Sequence, residues 1–443
     1  MIRSVKGTFD ILPNSKNPWE AQRAWEKVYR AAREVLERAG VGEITPPVFE
    51  HAEVFTKSVG ESADIVVQKE MYTLTDAGGR TLALRPEFTG SVLRAYIEHG
   101  MHTRPTPVKL WSRGPVFRAE RQPQRGRFRQ FHQVNCEILG LDNPLVDAEA
   151  ISLLYQVLRA CGLKEIVVKL GSVGDPGDLS RYNSYLREQL APVQDKLSET
   201  SQARLHLNPM RVLDSKDEGD QKLIAGLKRP LELISDDAKH HLDGVQRFLR
   251  DWGVPFEVDP AIVRGLDYYR RTAFEVHHRG IGAQSALCGG GRYDGLVERL
   301  GGPVTPGIGW AFGVERVMDA MLEDGVSFSG SAHPDLFLVP MDDAAVAEVA
   351  RSATSLRQTF AVQYAYSRRN PGKGLKEAER SGARFAALRG DRERDRGIYT
   401  LKNLASGEQL EIPETDLAGV LAAQLKAFNP ARPNLVSAED PPK

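Results

Sequence analysis

Between Arg118 and Arg129 the chain carries Arg118, Arg121, Arg125, Arg127 and Arg129 against one carboxylate, Glu120. Arginine in this density suits phosphate, because the planar guanidinium matches two oxygens at once and keeps its charge at any physiological pH. A solvated basic hairpin would show the same run, so the neighbouring segments decide. In the segment that follows, period-two alternation sets His132, Val134, Cys136 and Ile138 on one face of a strand and Phe131, Gln133, Asn135 and Glu137 on the other. On a covered face, an amide and a carboxylate without partners would each cost about 1–3 kcal/mol. Such groups beside an arginine cluster suit a small polar ligand. A third group, RGLDYYRRTAFEV, sets Arg264, Asp267, Tyr268 and Tyr269 ahead of another strand. Tyrosine offers a flat wall and a hydroxyl able to meet a ring nitrogen or an amine.

Two glycine-rich runs complete the set, SALCGGGRYDGLVERLGG and PGIGWAFGVER, the second ending at Arg316. Gly289, Gly290, Gly291, Gly307, Gly309 and Gly313 are expected to let the backbone approach a ligand closely. Their spacing misses the dinucleotide fingerprint by one residue, and the GKG at Gly372 lacks the spacing and the Ser/Thr of a phosphate loop. A bound nucleotide would therefore be held by arginines and magnesium. Neither HExxH nor G-x-S-x-G occurs, and His277 and His278 face opposite ways in a strand, so no protein-bound metal site is expected.

These residues need elements to position them. Asn17 and Pro18 predict the start of an amphipathic helix through Trp25, Val28, Tyr29, Ala32 and Leu36, closed by Gly40. ITPPVFE reads as an edge or interface strand, because its prolines donate no hydrogen bond. From Arg80 to Glu137 the order strand, helix, strand, loop, strand predicts antiparallel pairing, and Asn143–Pro144 opens a second helix. Residues 175–255 are charged and helical, an inserted subdomain. A linker at 326–333 precedes alternating strands and helices over 334–428, and 429–443 is a proline-rich tail expected to be mobile.

Composition bounds the function. The 443 residues balance 59 basic against 59 acidic side chains, so any nucleic-acid contact must come from local patches. Apolar residues at 41% and charged at 27% exclude long disorder and fibres. Three scattered cysteines argue for a reducing compartment, and with no apolar run of spanning length the chain is expected to be cytoplasmic, neither exported nor membrane-bound.

FRAER followed by RGRFRQFHQVNCEILG resembles motif 2 of the class II aminoacyl-tRNA synthetases, ITPPVFE resembles motif 1 and PGIGWAFGVER motif 3. LRPEFT and RGLDYY are similar to the stretches that mark the histidyl family within that class, and the region from Pro334 is similar to its anticodon-binding domain. The resemblance implies an α+β fold: a catalytic domain over 1–325 on an antiparallel sheet with the helical insertion, then an anticodon-binding α/β domain over 334–428. It implies ATP-dependent ligation of L-histidine to tRNA(His) through an adenylate, with Mg²⁺, in a cytoplasmic homodimer. Glu87 and Thr89 would receive the histidine ammonium, with Gln133 and Glu137 beside them, and Tyr268 and Tyr269 would contact the imidazole. Arg118 would hold the α-phosphate of ATP, Arg264 the same phosphate and the histidine carboxylate, and Arg316 the γ-phosphate. Glu120 would orient adenine or a magnesium ion, and Arg125 and Arg127 would face the tRNA acceptor end. Gln122, ahead of Pro123, lengthens this loop by one residue relative to the family pattern. A rival with the same catalytic fold, a histidine-binding regulatory subunit, typically lacks the arginines and the terminal domain.

The chemistry predicts one sharp loss. Arg264→Ala should remove about 3–4 kcal/mol of transition-state stabilisation, abolishing adenylate formation while tRNA affinity is retained. Pyrophosphate exchange alongside tRNA filter binding checks this, and normal exchange would remove Arg264 from the reaction.

Overall fold

The computed structural model describes residues 2–13, 15, 17–59, 71–124, 126–260, 262, 269–281, 286–328 and 334–428. Arg125, Arg264, Tyr268, residues 329–333 of the linker and the tail 429–443 lie outside the described residues. The chain divides into two compact units at residues 328/329.

The first helix, Gln22–Arg38, buries Trp25, Val28, Ala32 and Leu36 and ends before Gly40, whose φ of +72° few other residues adopt. It begins later than the Asn17–Pro18 signal implies. Asn17 Oδ1 accepts the Trp19 N–H at 3.2 Å, which closes a turn, and the Gln22 N–H is given to Leu12 O at 2.9 Å. A bridge between Leu12 and Ala21 thus interrupts the run before helix starts. The second expected helix, Pro144–Ala160, is capped as read, Asn143 Oδ1 accepting the Val146 N–H at 3.1 Å.

Among the described residues this unit has the strands β1 (Gly42–Glu43), β2 (Phe49–His51), β3 (Thr73–Thr75), β4 (Thr81–Leu84), β5 (Val108–Phe117), β6 (Gln130–Leu139), β7 (Ile166–Ser172), β8 (Phe256–Val258), β9 (Arg270–His278), β10 (Ala286–Arg292) and β11 (Gly307–Gly313). Eight form one sheet in the order β1-β5-β6-β11-β10-β9-β7-β8. Its six central strands run antiparallel, with β1 and β8 added parallel at the edges. Antiparallel sheets bury one face and leave the other available. Here the helices Gln22–Arg38, Pro144–Ala160, Asp236–Asp251 and Val314–Glu323 cover the face bearing Val134, Cys136 and Ile138. ITPPVFE is split, Ile44 donating to Trp111 O at 2.8 Å and Phe49 opening β2, which joins β4 and β3 in a small separate sheet.

Residues 175–255 are helical, as composition implies, and part of this stretch has its own core of Leu190, Leu197, Leu205, Val212 and Ile224. Asp220 ties it together. Its buried carboxylate accepts from the hydroxyls of Ser201 and Ser215 at 2.5 Å and Ser198 at 2.7 Å. Burial opposes its charge, yet these hydroxyls outweigh it and hold Asp220 down at about 2.

The second unit holds β12 (Leu336–Pro340), β13 (Val362–Tyr364), β14 (Phe385–Arg389), β15 (Ile398–Asn403) and β16 (Gln409–Pro413) in the order β13-β12-β14-β15-β16. The first three are parallel and the last two antiparallel, with helices Asp343–Leu356, Pro371–Ser381 and Leu417–Phe428 around them. Gly374 lets its helix sit against the sheet, since a Cβ there would lie 2.2 Å from Val339 Cγ1.

Asp220→Ala leaves three serine hydroxyls without their acceptor and should destabilise the helical segment by about 3 kcal/mol, read by hydrogen exchange. Because the folded carboxylate titrates below its unfolded value, its contribution is full above about pH 4 and is lost as pH falls towards 2. An unchanged exchange pattern in the variant would contradict this.

Candidate active site

Glu137 sits at the centre of the sheet, where β6 runs between β5 and β11, paired with Leu110 and Gly309. Only glycine fits opposite it: a Cβ on Gly309 would lie 1.7 Å from Glu137 Oε2. The carboxylate is fully buried and accepts from Thr89 Oγ1 and Asn135 Nδ2, both at 2.6 Å, and from the Tyr293 hydroxyl. Burial nevertheless pushes it up to about 7, helped by the nearby charge of Glu87. Glu87 folds forward over the start of the helix Thr89–Glu98, accepting the N–H groups of Thr89 and Gly90. Burial raises Glu87 as well. Two carboxylates joined through Thr89, both reluctant to ionise, form a place that a bound amine cation would stabilise.

The same face of β6 carries two acceptors of its own. Gln133 Oε1 and Asn135 Oδ1 are buried without a partner among the described residues. Buried acceptors normally find a donor, so a ligand with several N–H groups fits this wall. Tyr269, 9% exposed, lies against Gly291, where a Cβ would come within 2.6 Å of its ring. Tyr293 lies against Gly307 in the same manner, at 2.4 Å. The sequence expectation for these glycines is therefore corrected: Gly291, Gly307 and Gly309 admit side chains of the chain itself, not a ligand against the backbone.

The strand ends bring the arginines in. β5 ends at Phe117, β6 begins at Gln130 beside it, and β11 ends at Gly313 opposite Gln133. Arg118, just past β5, and Arg316, in the first turn of the helix after β11, thus flank one end of the sheet, with Gln133 between them and Glu137 deeper. Arg118 lies over the Phe131 ring at 4.5 Å, and exposed Arg316 donates to Ala286 O at 3.1 Å. Not every arginine of the loop points outward. Arg127 is ion-paired with Glu120, and Arg129 donates to Glu120 O at 2.8 Å and Lys6 O at 3.0 Å. Although burial opposes its charge, Glu120 is held below the usual carboxylate range by the Gln122 N–H and Arg127. The loop's lone carboxylate is thus taken up by Arg127.

Asn135, expected on this face without a role, and three residues outside the expected set support the site. Asn135 and Tyr293 hold Glu137. Glu315 accepts the His132 N–H at 3.0 Å and faces its Nδ1 at 3.0 Å, fastening the helix that carries Arg316 to β6. Arg85, 2% exposed, donates to Pro46 O at 2.8 Å and Pro115 O at 2.9 Å, which ties the paired prolines to the loop bearing Glu87. Burial pulls its guanidinium down to about 10. Its place inside LRPEFT was the available signal.

Comparison with known proteins agrees on one family. The family model described as Histidyl-tRNA synthetase matches residues 10–317, and that described as Anticodon binding domain matches 335–424. A histidine–tRNA ligase of Thermus thermophilus is 52% identical over 425 residues, 96% of this chain and 99% of that protein. One from Deinococcus radiodurans is 50% identical over 429 residues, covering 95% and 100%. The crystal structure of apo S. aureus histidyl-tRNA synthetase superposes with a TM-score of 0.80 at 34% identity, covering 95% of this chain and all of that one.

A carboxylate that ionises near pH 7 gives a pH signature. An amine ligand in this hollow favours ionised Glu137, so its affinity should rise about tenfold between pH 6 and 8. Glu137→Gln should flatten the protein's share of that rise. Calorimetric titrations with histidine check both, and an unaltered slope in the variant would place the titrating group elsewhere.

Proposed function

The chain belongs to the histidyl-tRNA synthetase family, and from that membership we propose how its residues ligate L-histidine to tRNA(His), through a histidyl-adenylate with release of AMP and pyrophosphate. The observation that carries the reading is the hollow around Glu137, two carboxylates and two acceptors without a partner among the described residues, at one end of which Arg118 and Arg316 stand.

Glu87 and Thr89 receive the ammonium, with Gln133 and Glu137 beside them. Tyr268 and Tyr269 contact the imidazole. Held in this way, the histidine carboxylate is aimed at the α-phosphorus of ATP and attacks it in line. Charge builds on the α-phosphoryl oxygens, where Arg118 and Arg264 stabilise it more than they stabilise the ground state. Arg316 grips the γ-phosphate and keeps pyrophosphate in line as the leaving group. No protein nucleophile is required. In the second step the terminal ribose hydroxyl of tRNA attacks the adenylate carbonyl and AMP leaves.

Among the described residues no group of three or more His, Cys, Asp or Glu could cage a metal ion. Mg²⁺ would arrive on the triphosphate and keep waters, since magnesium is commonly held by one or two carboxylates plus phosphates. Glu120, whose carboxylate retains lone pairs beside Arg127 and the Gln122 N–H, is the residue that would share it or orient adenine. Bound there, the ion would neutralise phosphate charge.

The tRNA meets both units, the acceptor end at Arg125 and Arg127 and the anticodon at residues 334–428. Among the described residues no helix is long and apolar enough to cross a membrane, and a cytoplasmic place follows from the translation chemistry. A homodimer through the ITPPVFE region is supported by the exposure of Val48 at 39% and Phe49 at 56%, apolar surface that association would cover.

Histidine-dependent exchange of pyrophosphate into ATP tests the reading. The purified full chain should catalyse it with histidine and not with other amino acids. Absence of exchange would leave a histidine-binding regulator, and preference for another amino acid would discard histidine as the substrate.

A further inference from the structure

Tyr293 is 2% exposed, and its hydroxyl donates to Oε2 of Glu137. A carboxylate has about four lone-pair sites. Thr89 and Asn135 occupy Oε1, and Tyr293 takes one site on Oε2. Gly309 lies flat against that same oxygen. Among the described residues this leaves one acceptor position of fixed direction for a substrate, which suits a single N–H.

Tyr293 needs something to hold it there. The ladder between β10 and β9 shifts register between Gly291 and Arg292, so on that side the strand holds it loosely, whereas pairing with β11 runs unbroken to Arg292 and Ile308. Its two neighbours in sequence add to this hold. Arg292, with no exposure, turns away from the pocket and grips the fully buried Asp147 through Nε and Nη2, while its Nη1 donates to Asp294 at 3.0 Å. Asp294 accepts the Gly307 N–H at 3.0 Å, and the Tyr293 N–H returns to Gly307 O at 2.8 Å. Asp147 is shared with His241 Nε2 at 2.8 Å, on the helix Asp236–Asp251 that ends the helical insertion. A buried arginine with paired carboxylates is rigid because letting go would leave an unpaired charge.

We propose that Tyr293 is a positioning residue for amino-acid selection, aiming Glu137 at one N–H of the bound histidine, and that the Arg292–Asp147–His241 clamp makes the end of the helical insertion part of the pocket's support. This rests on the assignment of Glu137 to the histidine pocket. The insertion is then more than an appendage. Its last helix fixes where a pocket hydroxyl stands.

The test uses pyrophosphate exchange by the full chain, with KM for histidine and for ATP measured separately. Tyr293→Phe keeps the ring and removes only the hydroxyl. It should raise the histidine KM about tenfold or more and leave the ATP KM unchanged. His241→Ala should shift the histidine KM in the same direction, and His241→Gln, which can still donate to Asp147, should restore it. Unchanged histidine KM in Tyr293→Phe, or an equal rise for ATP, would overturn the positioning role. Failure of His241→Gln to rescue, or no effect of His241→Ala, would overturn the clamp. Glu137→Gln separates these from the underlying assignment: if it alone leaves the histidine KM untouched, Glu137 lies outside the pocket and the assignment falls with the proposal. If it raises the histidine KM and Tyr293→Phe does not, only the positioning role fails.

Discussion

A carboxylate buried in the middle of a β-sheet is an unstable thing to build, and much of this site is what makes it tolerable. Transfer of an unpaired carboxylate from water to a protein interior is opposed by several kcal/mol. Glu137 is offset by three side-chain donors from three separate segments, Thr89 after the small sheet, Asn135 on its own strand and Tyr293 after β10. Each donor must be brought to within hydrogen-bond reach, so the elements carrying them are constrained together. The result keeps the charge available without making it comfortable. A group near 7 is sensitive to any cation placed beside it, which is the property an amine-binding pocket needs.

Two buried arginines do comparable work for the backbone. Arg85 donates to the carbonyls of Pro46 and Pro115, residues that bring acceptors but no backbone N–H of their own. Arg292 is held by Asp147, Asp294 and the Leu141 carbonyl and pins the segment on which Tyr293 stands. Both illustrate how a site built from distant segments is held by desolvated charge as much as by apolar packing, with the consequence that removing one partner costs more than forming the pair gained.

Much of the site was legible from local pattern. The arginine run ending in Arg129 and the alternation that turns Gln133, Asn135 and Glu137 to one face are properties of a single strand and its preceding loop, and need no tertiary information. So is the Asn143–Pro144 helix start. What could not be read was pairing across strands. Nothing local says that Gly309 stands opposite Glu137, or that Tyr293, more than 150 residues away from it in sequence, supplies its third donor. Nor did the charge count say which arginine the lone carboxylate takes up; Arg127 closes on Glu120 within its own loop. The Asn17–Pro18 signal marked a turn instead of a helix because Leu12, five residues earlier, captured the Gln22 N–H.

The glycines opposite Glu137, Tyr269 and Tyr293 carry a practical consequence. Strand interiors are ordinarily the first place to exchange glycine for alanine or valine when a more heat-resistant protein is wanted, since the flexible residue weakens the unfolded-to-folded balance. At Gly291, Gly307 and Gly309 the gain in chain stiffness would be reversed by collision with a ring or a carboxylate oxygen. Thermal improvement of this scaffold must come from its periphery, leaving the middle of the sheet as loosely propensitied as it now stands.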